Sequence, residues 1–338
     1  MIIDMNIDVV ITYVDGDDPI WIKSKNKYDT TKETTLESAS KWRFKSNNEA
    51  LYCIKSINKF APFFRKIYLV MSGPSQNPIW LNEVNKLHIP LVVIYHSQFY
   101  IDKSHLPVFN STSIEANIHN IPGLSEYFVY FNDDCFLGDH VTKNDFISDD
   151  GKLLIQLDRP DSKRGKPSKN EIGYYSAWKN TNNMLDRIFQ DTVPKSMFYK
   201  HLFTYVYKPD YRIGWERNVI KHVPQVQKKS THKKLRTIFP EEFEENSRSR
   251  FRSIYIYNTS AGLAEYYELY TGNALQYNTS SLSILVNDYT YWNTIVFSAA
   301  LYDTFKFINI QSTITVNGED ADTQLKEFLE NTVNKMVS

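Results

Sequence analysis

An α/β fold, built on a doubly wound and mainly parallel sheet with a mostly helical subdomain, is predicted by three observations. Two apolar runs, Ile7–Val14 and Phe128–Phe131, read as strands buried on both faces. Each delivers carboxylates at its C-terminal end, Asp15-Gly16-Asp17-Asp18 after the first and Asn132-Asp133-Asp134 after the second. Between them strand-like and helix-like segments alternate, and parallel neighbours need crossover helices.

The elements follow in order. Residues 22–45 are polar and weakly patterned, and read as a loop. Ser46-Asn47-Asn48-Glu49 spells a capping box, and Leu51, Ile54 and Ile57 continue at helical spacing until Pro62 stops the helix. Lys66–Met71 and Leu91–Tyr95 read as strands, with a short helix at Ile79–Asn85 between them. Thr112-Ser113-Ile114-Glu115 spells a second capping box, and Pro122-Gly123 ends its helix. Lys152–Asp158 is a further strand, and 161–170 a basic loop. From about 171 to 272 the pattern turns helical and aromatic. The basic run Lys221–Arg236, which includes His222 and His232, is answered by the acids of Glu241–Glu245, as in two solvated helical faces. A last helix is expected near Thr323–Met336. The chain thus divides into an α/β core at 1–160, a mostly helical subdomain at 161–275, and a segment at 276–338 that completes the core.

Composition narrows the function. Lys plus Arg and Asp plus Glu both number 39, so no global charge favours nucleic acid. Two cysteines, Cys53 and Cys135, make no disulfide framework and suit a reducing cytoplasm. No run approaches the roughly 20 apolar residues of a membrane span, and no secretory leader is visible. There is no GxGxxG and no GxxxxGK[ST], which argues against dinucleotide oxidoreductases and P-loop NTPases. Asp133 and Asp134, at the carboxyl end of a parallel strand, are placed to hold a divalent cation against a diphosphate. On that stretch alone an ordinary surface turn fits equally well.

Taken together, the segments resemble the Stealth family of sugar-1-phosphate transferases. The resemblance lies in Ile7–Asp18; in Arg43 to Gly138, including Leu106-Pro107-Val108-Phe109-Asn110-Ser111, Ile114-Glu115, His119 and Tyr130–Asp134; in His222-Val223-Pro224 through Phe239–Phe243 to Arg250-Phe251-Arg252; and weakly in Asn287-Asp288. The chain departs from the family pattern where an Asp and two arginines are replaced by Ser46, Leu51 and Lys55.

The resemblance implies a Rossmann-like, GT-A-like sheet and a bacterial enzyme of capsular or surface polysaccharide synthesis. An acceptor hydroxyl would attack the β-phosphorus of a UDP-sugar and release UMP. Asp133 and Asp134 would hold Mg2+ or Mn2+. His222 would be general base or phosphate donor, with Asp134 and Arg252 beside it in catalysis. Asp15, Asn132, Asn110, Arg250 and Asn287 would contact substrate. The partners implied are a UDP-sugar and a glycan acceptor, with no nucleic acid and with peripheral contact at the inner face of the plasma membrane. Two rivals are a glycosyltransferase that releases UDP and a binding module without turnover.

Overall fold

A computed structural model describes residues 5–29, 44–162, 164–168, 171, 173–189, 203–206, 214–286, 305–312, 323 and 325–337. Its centre is a five-stranded sheet. Strands β1 (Ile7–Thr12), β2 (Lys66–Met71), β3 (Leu91–Tyr95) and β4 (Tyr127–Phe131) are parallel, in the order β4-β1-β2-β3. The apolar runs predicted as strands are strands, because both faces of the sheet are covered. Val9, Ile11, Ile67, Leu69, Val129 and Phe131 pack into one core. Val10, Tyr68, Val70, Phe128 and Tyr130, alternating with them, pack into the other. Helix α1 (Pro19–Tyr28) follows β1, α2 (Glu49–Phe60) precedes β2, and the short helices α3 (Leu81–Val84), α4 (His96–Phe99) and α5 (Ser111–Glu115) fill the later crossovers.

Strand order reverses between β1 and β4, the switch point at which ligands bind in open α/β sheets. Ile11 pairs with Phe131, so both strands end at the same level and release Asp15 and Asp133-Asp134 on the same edge.

Among its described residues the segment 161–275 carries strands as well as helices. It contributes β8 (Phe203–Val206) and β9 (Gly214–Ile220), which form an antiparallel sheet with β7 (Leu157–Ser162). It also contributes β10 (Gln225–Lys228), the fifth strand of the central sheet, antiparallel to β4. The boundary expected at 160 therefore falls inside β7. Around these strands stand α6 (Gly173–Phe189), α7 (Lys229–Ile238), α8 (Pro240–Arg248) and α9 (Glu265–Tyr270). A smaller sheet joins β5 (Cys135–Leu137), β13 (Phe307–Ser312) and β12 (Ser281–Val286), while β6 (Leu153–Ile155) pairs with β11 (Ala274–Gln276).

Both capping boxes are displaced. Helix α2 begins at Glu49 with Asn48 as its cap, and Asn48 adopts a left-handed φ of 64°. Helix α5 is capped by Asn110, whose side chain accepts from the Thr112 amide.

Candidate active site

The turn after β1 is tied down by Gln76, which the sequence did not mark. Its side chain accepts from the Asp15 amide at 2.7 Å, and donates to the Asp15 carbonyl at 3.1 Å and to Asp18 at 2.8 Å. The Asp15 carboxylate accepts from the Asp17 amide and stays half-buried at the sheet edge. Gly16 fits because a Cβ there would lie 2.2 Å from the Phe44 carbonyl oxygen.

Opposite it, the β4–β5 turn carries the acidic pair. Burial pushes the Asp133 carboxyl well above its ordinary range, and the charges of Asp134 and Glu49 push it further. Burial acts on Asp134 in the same direction. His222, together with hydrogen bonds from His222, Asn309 and Gln311, outweighs it and holds Asp134 low.

His222 arrives from the far side of the chain. Because β10 is antiparallel to β4 and Gln225 pairs with Tyr130, the residues just before β10 lie at the C-terminal end of β4. His222 Nε2 is 3.2 and 3.4 Å from the two Asp134 oxygens and 3.5 Å from Asn132 Nδ2. Burial opposes the imidazolium, yet the Asp134 charge and hydrogen bond raise its pKa above the ordinary value. Asn132 in turn accepts from the Tyr130 hydroxyl at 3.1 Å, and that hydroxyl lies 3.0 Å from Thr12.

Arg252 donates to Ser111 Oγ at 3.0 Å, at the start of α5, and acts electrostatically on Glu115 at the end of that helix. Glu115, marked in the sequence by a capping box and by the family resemblance but given no role there, stands beside them. It is buried, and burial pushes its carboxyl up to about 7 even though Arg252 and His222 pull it down. Its electrostatic reach to His222, which lies 107 residues on in the chain, is a product of the fold.

The other expected contacts lie elsewhere. Asn110 is buried, donating to the Ser249 carbonyl and accepting from Thr112. Arg250 donates to the Ser104 carbonyl, and its guanidinium stands 4.8 Å over the Tyr28 ring. Asn287, with Asp288, is outside the described residues. Of the positions that depart from the family pattern, Lys55 pairs with Glu83 at 2.6 Å and donates to Asn334 at 3.2 Å.

The donor set suits a hard cation. Asp133, Asp134 and Glu49 bring three carboxyl groups into mutual electrostatic reach, and Asp133 carries the consequence in its raised pKa. Such an acid surplus is what a divalent ion neutralises, with carboxylate and phosphate oxygens as ligands. Cys135, beside Asp134 and His222, is a buried thiol whose pKa is pushed well up, and it is a poor ligand for Mg2+.

Three conserved regions of Stealth proteins match the chain in order: region 1 at residues 5–33, region 2 at 43–155 and region 3 at 221–255. The chain belongs to the Stealth family. Region 2 holds Glu115 and the acidic pair, and region 3 holds His222 and Arg252, so the matched regions meet at one site.

An exopolysaccharide phosphotransferase of Streptomyces coelicolor is 33% identical over 269 residues, covering 80% of this chain and 41% of that protein. A capsular polysaccharide phosphotransferase of Streptococcus pneumoniae is 40% identical over 146 residues, covering 43% of this chain and 42% of that one. The chain thus spans less than half the length of these relatives. Among solved structures, the apo form of the bifunctional glycosyltransferase WbbM is similar over 99% of this chain and 52% of its own. Its TM-score is 0.38 at 10% identity. Among the described residues no helix is long and apolar enough to cross a membrane.

Proposed function

We propose that this protein moves a sugar-1-phosphate from a UDP-sugar to a glycan hydroxyl in capsular or exopolysaccharide synthesis, releasing UMP. The observation that carries the reading is the convergence of Asp134, His222, Glu115 and Arg252 at the switch point of a nucleotide-binding type of sheet. Phosphoryl transfer needs charge neutralisation, in-line positioning and a base for the attacking hydroxyl.

The acceptor oxygen attacks the β-phosphorus, a new O–P bond forms, and the bond from that phosphorus to the bridging oxygen breaks with UMP as leaving group. Mg2+ or Mn2+, held by Asp133 and Asp134, would neutralise diphosphate charge. Glu115 takes the hydroxyl proton, since its pKa of about 7 suits a base at neutral pH and its carboxylate has no hydrogen bond to a described residue. His222 is held by Asp134 in the orientation to donate to phosphate. Arg252 clamps phosphate through its fork of donors, and Asp15 and Asn132 line the nucleotide end.

The test is nucleotide release from a panel of UDP-sugars with a glycan acceptor and Mg2+. UMP is expected, with Asp134→Ala, His222→Ala and Glu115→Gln each lowering turnover about 100-fold or more. UDP as the released nucleotide would mean glycosyl transfer and discard the mechanism.

A further inference from the structure

The chain that carries Arg250 and Arg252, residues 249–257, forms neither helix nor strand. An irregular segment must satisfy its backbone groups by other means, and here three asparagine side chains do so. Asn246, fully buried on α8, donates to the Tyr257 carbonyl at 3.1 Å and accepts from the Tyr257 amide at 3.1 Å. Its second amide hydrogen goes to the Thr112 carbonyl in α5 at 3.0 Å. Asn180 of α6 donates to the carbonyls of Ile254 at 2.8 Å and Ile256 at 3.0 Å. Asn110 donates to the Ser249 carbonyl at 3.2 Å, and the neighbouring Phe109 amide donates to the Arg250 carbonyl at 2.8 Å.

We propose that Asn246 is a positioning residue, with Asn180 and Asn110 beside it, in an amide clasp that sets Arg252 against the Glu115 helix. The inference rests on the roles given above to Arg252 and Glu115. Asn246 is the part of the clasp that touches both sides: one amide spans α5, which ends in Glu115, and the chain five residues beyond Arg252. The amide is required because both edges are used. A carboxylate at 246 would set an acceptor against the carbonyls of Thr112 and Tyr257, where each now receives a hydrogen.

The test is a double-mutant cycle on the full chain, with Asn246→Asp and Asn180→Ala each made alone and in an Arg252→Lys background. Lysine keeps the charge but lacks the fork. With Arg252 intact, each clasp variant is expected to lower kcat/KM about 10- to 100-fold, the scale of a misplacement near 1 Å. In the lysine background the same change is expected to cost under about threefold, since the geometry it protects is already lost.

Hydrogen exchange over residues 249–257 should quicken about tenfold in both clasp variants while β1 and β4 stay protected, a readout that needs no substrate. Equal losses in the two backgrounds, or unchanged exchange, overturn the clasp and leave the proposed reaction standing. Wild-type turnover by Arg252→Lys removes the bidentate role of Arg252 and the clasp with it. Should Asn246→Asp fail to fold, Asn180→Ala, which touches only the far end of the segment, decides the matter alone.

Discussion

Asp8, the second residue of β1, lies fully buried at the start of an apolar run. Its carboxylate accepts from Arg65 Nε at 2.8 Å, from Arg65 Nη2 at 2.6 Å and from the Ser125 amide at 2.7 Å. A buried charge with this many partners is costly to alter on one side only. Asp8→Asn is expected to cost about 3 kcal/mol in urea unfolding, while Asp134→Ala, at the half-buried site edge, leaves stability within about 1 kcal/mol. Equal effects of the two would refute this division between a structural and a functional carboxylate. The sequence shows both as acids beside apolar residues. Which one faces Arg65 and which faces His222 depends on partners 57 and 88 residues away, a separation no local pattern reports. His222 was legible only through its family resemblance, since a histidine in a basic run has no local signature of function. The role of Glu115 was hidden because Ser/Thr-x-x-Glu also serves as a capping signal.

At the scale of elements, α7 is bound to the sheet through a pair of imidazoles. His232 of α7 stacks on His119 with ring centroids 5.7 Å apart, beside Phe128 of β4 and Phe243 of α8. Burial pushes His232 down to about 4. Burial, aided by His232, Arg236, Lys233 and Lys229, pushes His119 down to about 2. Both folded values lie below the ordinary 6.5, so the folded chain binds fewer protons than the unfolded one. This contribution is therefore fully present above pH 6.5 and is lost as pH falls towards 4 for His232 and towards 2 for His119. Unfolding free energy should drop by about 1.4 kcal/mol per pH unit for each imidazole between pH 6 and 4, and His119→Asn should remove one such share of the slope. An unchanged slope in that variant would show that His119 accepts its proton without leaving the core. The strands β2 and β3 were legible to the residue because Ile67–Met71 and Leu91–Tyr95 are short runs of apolar, β-branched and aromatic residues. Strand β10 was not, because Gln225-Val226-Gln227-Lys228 at the sheet's edge carries polar side chains, of which Gln227 bonds His232.

Across the whole molecule, the site is assembled from regions that are far apart in sequence, and the C-terminal part is one of them. Strand β13 lies antiparallel to β5 with Asn309 opposite Cys135. The Ile310 amide donates to the Asp134 carbonyl at 3.0 Å, and Asn309 Nδ2 donates to the same oxygen at 3.2 Å. The last sheet thus holds the acidic turn at the Asp134 carbonyl while His222 holds it at the Asp134 carboxylate. The core at 1–160 contains Asp133 and Asp134 but neither of these restraints, which is why the acidic motif alone could not be told from a turn. Asn309→Ala removes one of the two bonds to the Asp134 carbonyl and keeps the main-chain one. It should cost about 1 to 2 kcal/mol of stability. Because metal affinity depends on groups that orient the ligands, it should also weaken Mn2+ binding by calorimetry about tenfold. Loss of stability with full Mn2+ affinity would mean that β13 supports the fold without setting the carboxylates. Loss of both would make the C-terminal sheet part of the cation site, so that fragments ending before it fold around an acidic turn that binds metal poorly.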